Sequence, residues 1–380
     1  MRVLHVYRTY FPDPPGGLQE AIRQICLSVQ PFGIENTVFT LSPDPSPVEL
    51  RRTEAQVFRC RSWAAPASCD LGGAAAFRRF RQLADNADVI HYHFPWPFAD
   101  MLHMMSRPLR PTVLTYHSDV VRQRLFGWGY RPLMAWMLGS MSAVVATSPA
   151  YARTSKSLTK AGVRESVRVI PLGIDERSYP VAGDESVFDR VGVSRDEPYF
   201  LFVGVLRYYK GLQFLVEAAS EIAAKVLIAG SGPECAALRA LTQALGARNV
   251  MFSGQVSEGE KVALLNRCHA LVLPSHLRSE AFGMVLVEAA MFGKPMISCE
   301  IGTGTSFVNT DGETGFVVEP SRPAALADAM NRLLADDALT VRMGLAARRR
   351  YERLFSGKAL GREYTALYRE VQMEGNSQVR

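Results

Sequence analysis

Ser279-Glu280-Ala281-Phe282-Gly283-Met284-Val285-Leu286-Val287-Glu288 sets two carboxylates on either side of a glycine. The apolar run Ala270–Pro274 precedes it and reads as a buried strand. Met284–Phe292 has helical composition and is closed by Gly293 and Pro295. A helix starting near Gly283 points its free N–H groups at whatever lies above that strand, and its dipole favours an anion there. Glu280 then stands in the loop beside the anion and Glu288 two turns into the helix. That spacing separates them by roughly 12 Å. It is too far for a proton-sharing dyad and suits the two ends of an extended ligand. The plain alternative is a loop glutamate and an unrelated helical one.

A second stretch, Phe202-Val203-Gly204-Val205-Leu206-Arg207-Tyr208-Tyr209-Lys210-Gly211, follows the strand-like Tyr199–Val203. Arg207 offers a bidentate fork and Lys210 a compact charge, which together suit a diphosphate. Two solvated cations on a turn are the competing reading. Further on, Val226-Leu227-Ile228-Ala229-Gly230-Ser231-Gly232-Pro233-Glu234 is a buried strand running into a glycine turn. It half-matches a dinucleotide fingerprint, but Cys235 takes the third glycine position and no suitable acid follows the next strand. Gly230 leaves room for backbone to approach a ligand or to pack closely.

With 380 residues and 48% hydrophobic content, the chain exceeds one typical core and predicts two α/β domains built from parallel β/α units. The six cysteines lie far apart without Cys-x-x-Cys spacing, as expected for reduced thiols in a cytoplasmic protein. Met1-Arg2 leads straight into a strand, so no secretory leader is expected. Pro132–Ala152 is uncharged and long enough to span a bilayer, but its Gly, Ser and Thr residues argue for a helix over Leu133–Leu138 and a strand over Ala143–Ala146. Charge is uneven. Through Gly173 there are 20 basic and 12 acidic residues, net +8, whereas the remainder carries 23 and 25, net −2. Arg122, Arg124 and Arg131 interleave with Phe126, Trp128 and Tyr130, a mixture that suits an anionic membrane surface or a phosphate-bearing lipid. No nucleic-acid recognition motif accompanies them, so no nucleic-acid partner is expected.

In order and spacing, Arg207…Lys210, Gly230-Ser-Gly232-Pro and Glu280-x7-Glu288 resemble the family 4 retaining glycosyltransferases. The likeness extends through the opening Met1–Tyr7 strand, Pro14-Pro15-Gly16-Gly17, Val89-Ile90-His91-Tyr92-His93, Thr115-Tyr116-His117-Ser118-Asp119 and Pro171-Leu172-Gly173-Ile174-Asp175. It implies the GT-B fold, two Rossmann-like domains facing across a cleft. Residues 1–173 would form the acceptor domain, with a C-terminal helix at about 356–380 crossing back, and 174–355 the nucleotide-sugar donor domain.

The resemblance also implies roles. Arg207 and Lys210 meet the leaving diphosphate with the Gly283 and Met284 amides. Glu280 contacts the donor sugar, Glu288 the ribose, and His117 the donor sugar from the first domain. Gly16, Gly17 and Gly230 let backbone approach the donor. Where the family often has Gly-Gly-x-Glu, this chain has Gln19 and then Glu20, which leaves that acid without an assigned role. Asp119, Arg122 and Arg124 are acceptor candidates, Asp119 also as an orienter of His117. His91 and His93 are expected to point to opposite strand faces, a poor geometry for one metal, and neither a metal nor another cofactor is expected.

Cys299-Glu300-Ile301-Gly302-Thr303-Gly304-Thr305-Ser306 replaces the common Gly-Gly-x-x-Glu loop. In that departure the chain is similar to bacterial O-polysaccharide mannosyl- and rhamnosyltransferases, which use GDP-linked donors. The resemblance implies hexose transfer to a lipid-linked glycan, such as N-acetylglucosamine on a polyprenyl diphosphate. The enzyme would be cytoplasmic and peripherally bound at the inner face of the plasma membrane. A nucleotide-sugar epimerase of the same fold and a non-catalytic sugar-binding protein are the alternatives. A nicotinamide dehydrogenase is disfavoured by the incomplete glycine fingerprint, and a retaining glycosidase by the distance between Glu280 and Glu288.

Overall fold

The computed structural model describes residues 1–380 except 14–15, 67–68, 120–123, 161–166, 195–196 and 379–380. The described residues divide into two units, Met1–Gly173 with Gly357–Arg380, and Ile174–Ser356.

The first unit contains β1 (Arg2–Val6), β2 (Glu35–Ser42), β3 (Glu49–Arg51), β4 (Gln56–Ala64), β5 (Leu71–Gly72), β6 (Val89–Phe94), β7 (Thr112–Tyr116), β8 (Ala143–Ala146) and β9 (Val167–Val169). Its main sheet runs β3-β4-β2-β1-β6-β7-β8-β9, parallel apart from β3 and with β5 antiparallel on β4. Strand order reverses between β1 and β6, and the segments after these strands hold Gly16-Gly17 and Pro95-Trp96. In open α/β sheets such reversals are where ligands bind, beyond the carboxyl ends of the strands.

The helix Gly357–Gln378 covers one face of this sheet. Leu360, Tyr364, Leu367, Tyr368 and Val371 recur at helical spacing and pack on Val3, Val89, Val113 and Val145. Burial of each such side chain contributes about 1.5–3 kcal/mol. Truncating Leu367 to alanine would cost roughly 2–5 kcal/mol.

The second unit contains β10 (Tyr199–Val203), β11 (Lys225–Ala229), β12 (Val250–Gly254), β13 (Ala270–Leu273), β14 (Met296–Cys299) and β15 (Gly315–Val318). All its pairings are parallel, in the order β12-β11-β10-β13-β14-β15. Sheets covered on both faces need apolar residues at every position, and Tyr-Phe-Leu-Phe-Val in β10 and Ala-Leu-Val-Leu in β13 supply them. Its switch point lies between β10 and β13. The fold class is therefore the expected one, two Rossmann-like α/β units.

One helix differs from expectation. Instead of Leu133–Leu138, it spans Arg124–Ser140 and runs through Pro132. A proline inside a helix forfeits one backbone hydrogen bond. Tertiary ties on both sides of Pro132 outweigh that loss: Tyr130 donates to Asp100, and the Trp136 ring lies 5.6 Å from that of His103. Both partners sit on the helix Pro97–Ser106. Among the described residues, no helix is long and apolar enough to cross a membrane.

Candidate functional site

The site of the second unit is built where β10 and β13 end. After β10 the chain passes through Arg207 into a short 3-10 turn, Tyr208–Lys210. After β13 it passes through Ser275 and Glu280 into the helix Met284–Met291. Because these strands are neighbours, the two loops converge. Lys210 Nζ donates to Glu280 Oε2, and Ser275 Oγ donates to the same oxygen at 3.3 Å. Burial works to lower the Lys210 pKa, but the Glu280 charge outweighs it and the net shift is upward. Lys210 is thus not a solvated cation; its side chain is 13% exposed. Arg207 is exposed, and its guanidinium has no hydrogen-bond partner among the described residues.

Gly283 has φ +82°, ψ 62° and turns the chain into the helix Met284–Met291. A Cβ there would adopt a backbone conformation L-residues avoid, and would sit 3.0 Å from both Leu273 Cδ2 and Leu286 Cδ1. Met284 begins this helix directly after the Glu280 loop. Gly230, at φ +141°, lets β11 pass so close to β10 that a Cβ would lie 1.9 Å from the Gly204 carbonyl oxygen. Packing of the two strand ends therefore accounts for this glycine.

Glu288 is buried and accepts from Tyr179 Oη and, at 2.8 Å, from Lys261 Nζ. Lys261 also pairs with Glu258 at 2.9 Å. Burial lowers the Lys261 pKa, but the two carboxylates outweigh it and raise it above its ordinary value. Neither Tyr179 nor Lys261 was found from the sequence. Both lie on segments remote from the Glu-x7-Glu element and carry no motif of their own.

In the loop 299–306, Thr303 and Thr305 are buried and Thr305 Oγ1 donates to the Cys299 carbonyl at 3.3 Å. Glu300 accepts from the Gly302 amide at 2.8 Å, and the Gly304 amide bonds the Ala281 carbonyl at 2.8 Å. These hydroxyls and amides brace the loop and tie it to the Glu280 segment.

In the first unit, Gly16 caps and Gly17 opens the helix Gly17–Val29, and both are exposed. A Cβ on Gly17 would meet nothing within 4 Å. Glu20 is engaged within its own helix, accepting from Arg23 at 2.8 Å and Gln24 at 2.6 Å. His117 follows β7, is buried, and its pKa is pushed down to about 3 by burial. Its ring nitrogen Nε2 lies 3.0 Å from His93 Nδ1, so the side chain that holds it is His93. Asp119 accepts from Tyr116 Oη at 3.0 Å and Ser155 Oγ at 2.7 Å.

Arg122 lies outside the described residues, and Arg124 is described only as the start of its helix. Tyr130, expected in a surface patch with them, turns its hydroxyl to buried Asp100 instead.

The reading of His91 and His93 is corrected. Side chains alternate along a strand, so residues two apart share a face. Their rings are 4.1 Å apart, and His5, His91 and His93 bring ligand nitrogens within 4.8 Å of one another. That is a metal-like spacing, but the nitrogens are already engaged in hydrogen bonds. His91 faces Tyr368 Oη and Thr115 Oγ1, each at 2.7 Å, while His5 and His93 face each other at 3.1 Å. A metal would have to displace these bonds.

Comparison with known proteins agrees with this architecture. Residues 184–350 match the family described as "Glycosyl transferases group 1", and residues 15–178 match "Glycosyltransferase Family 4". The chain is 47% identical to the D-rhamnosyltransferase WbpZ of Pseudomonas aeruginosa, over 94% of this chain and 92% of that one. It is 41% identical to the O-antigen chain mannosyltransferase C of Escherichia coli, over 97% and 98%. Anabaena HepE in complex with UDP shares the fold at a TM-score of 0.79 and 19% identity, over 97% of this chain and 100% of that one. The chain belongs to the GT-B glycosyltransferases of the O-antigen type.

Proposed function

We propose that this glycosyltransferase moves a hexose of the mannose or rhamnose type, with retention, from a GDP-linked donor to a lipid-linked glycan. The observation that carries the reading is the convergence of Arg207, the Lys210–Glu280 pair and a helix N-terminus at the β10/β13 switch point. Charge develops on the departing diphosphate during transfer. Cations and amides already in position stabilise that charge without reorganisation, which is the largest single term in many enzymes. Arg207 is free to fold onto the diphosphate. Lys210 exchanges part of its bond to Glu280 for a phosphate oxygen, and Glu280 becomes available to sugar hydroxyls. Glu288, held by Tyr179 and Lys261, is presented to the ribose hydroxyls. Under this proposal Arg207, Lys210 and the helix amides meet the phosphate charge without a metal ion, and the leaving phosphate oxygen takes the acceptor proton. His117 takes a hydroxyl of the donor sugar as its partner, the role that the family likeness implies. The two sugars are supported by the rhamnosyltransferase and mannosyltransferase relatives, and the guanine base by the likeness of the loop 299–306 to enzymes that use GDP-linked donors.

The proposed membrane contact rests on exposed residues of the first unit, Arg131 of the expected patch among them. Met101, Met104, Met105, Leu109 and Trp136 are exposed, with exposed Arg107, Arg110 and Arg131 among them. Between residues 101 and 140 there is one acidic residue, Asp119. Apolar side chains beside cations suit the boundary of an anionic bilayer.

A thermal-shift panel of GDP, UDP, ADP and dTDP tests the donor. A ligand at 100 times its Kd stabilises by about 2.7 kcal/mol. GDP should raise the melting temperature most, and radiolabelled mannose or rhamnose should pass from the GDP-sugar to a polyprenyl-linked acceptor. A larger shift with UDP would reject the GDP assignment, and release of free sugar without transfer would reject the acceptor class.

A further inference from the structure

Four buried polar side chains cross the first sheet in a line. Asn36 lies on β2, His5 on β1, His93 on β6, and His117 just past β7. His5 Nε2 is 3.2 Å from Asn36 Oδ1, His5 Nδ1 is 3.1 Å from His93 Nε2, and His93 Nδ1 is 3.0 Å from His117 Nε2. A neutral imidazole donates through one nitrogen and accepts through the other. The direction of such a chain is therefore decided at its end.

Asn36 decides it. Its Nδ2 donates to two carbonyl oxygens, Cys26 at 3.0 Å and Glu54 at 3.3 Å. Turning the amide over would set an oxygen against both of them. With Nδ2 so placed, Oδ1 only accepts, and His5 must donate through Nε2. His5 Nδ1 is then an acceptor, and His93 must donate to it through Nε2. His93 Nδ1 accepts in turn, and His117 must donate through Nε2. Burial keeps the members neutral: it lowers His5 to about 4 and His117 to about 3, and holds His93 well below its ordinary value.

We propose that Asn36, His5 and His93 are positioning residues that lock His117 as the Nε2–H tautomer, so that its Nδ1 is presented as an acceptor for a hydroxyl of the bound sugar. No hydrogen bond to His117 Nδ1 is made among the described residues. An imidazole free to exchange tautomers would spend part of its time offering a donor there, and a site aimed at a hydroxyl proton would be lost for that fraction. The acceptor half of this proposal rests on the reading that His117 meets the donor sugar. The tautomer half does not.

Nitrogen NMR of the histidine-labelled full-length protein at neutral pH tests the tautomer directly. His117 should show a pyrrole-like Nε2 and a pyridine-like Nδ1, as should His5. A protonated Nδ1 on His117, or tight uptake of Zn2+ that consumes His5 and His93, would overturn the relay. Asn36→Leu keeps the side-chain volume close and removes the anchoring acceptor. It should produce mixed tautomers at His117. It should also lower kcat/KM for the donor roughly fivefold to tenfold, the size of one neutral hydrogen bond. Mixed tautomers with unchanged kcat/KM would keep the relay and overturn the acceptor role at the sugar.

Discussion

Lys210 and Glu280 stand 70 residues apart in the chain and meet as an ion pair where β10 and β13 end. The pair joins two of the sequence elements that carry the family likeness, and it does so with both side chains largely withdrawn from water. Removing one partner of such a pair leaves the other charge buried and uncompensated.

Lys210→Ala should therefore do two things. Turnover should fall about 100- to 1,000-fold, the cost of losing one preorganised charge at a developing anion. The second unit should also lose about 3 kcal/mol of stability, because Glu280 is left with only Ser275. The double variant Lys210→Met/Glu280→Gln should recover the melting temperature without recovering turnover. Recovery of both would place the pair outside the chemistry. Arg207→Lys should also impair transfer, since a point charge does not reproduce a planar fork.

Glu288 and Glu280 should separate in their effects. Glu288→Ala should weaken nucleoside diphosphate binding by about tenfold or more, the scale of a hydrogen bond to a charged group. Glu280→Ala should mainly reduce the transfer rate and the discrimination between donor sugars. Equal losses of GDP affinity, read by calorimetry, would contradict this division.

Acid should weaken the first unit. Burial lowers His5 and His103 to about 4 and His117 to about 3, and holds His91 and His93 well below the ordinary 6.5. The unfolded chain takes up protons on these groups near pH 6.5 while the folded one does not. Their contribution is therefore fully present above 6.5 and is lost as pH falls toward 4 and below. Asp100 has the opposite sign. Burial raises it from 3.8 to about 7, so its folded form keeps a proton that the unfolded form has released, and stability falls as pH rises through that window. Urea midpoints measured from pH 7 down to 5 should fall in wild type, and more steeply in Asp100→Asn. A flat profile in both would mean the histidines are hydrated.

The membrane face can be tested without touching the donor site. Arg107→Glu with Arg110→Glu should sharply reduce co-sedimentation with anionic vesicles, at about 1 kcal/mol per cation. Wild-type binding should weaken in high salt, where screening shortens to a few ångströms. GDP binding should be unchanged in the variant. Vesicle binding that ignores salt and both substitutions would contradict the role given to Arg107 and Arg110.

Much of the fold was legible because parallel strands have to be apolar throughout. Ala143–Ala146 and Tyr199–Val203 are strands with the bounds read from sequence, and the helix after Gly283 ends one residue earlier than expected. Local pattern was not enough where tertiary partners decide. Pro132 looked like a boundary, but Asp100 and His103 hold the helix on both sides of it. Lys210 looked like a surface cation, because nothing in its own loop announces Glu280. The histidines of β6 were misassigned by a misapplied period: two residues apart means one face, and the shared face is what lets His5 and His93 meet. Tyr179 and Lys261 carried no signal at all, since only the fold brings them to Glu288.

The most direct measurement is a calorimetric titration of GDP into wild-type protein, Arg207→Ala and Lys210→Met/Glu280→Gln, all folded by thermal melting. The account predicts one site in wild type and affinities at least tenfold weaker in both variants. Unchanged GDP affinity in both would contradict it, because the diphosphate would then be bound somewhere other than the switch point between β10 and β13.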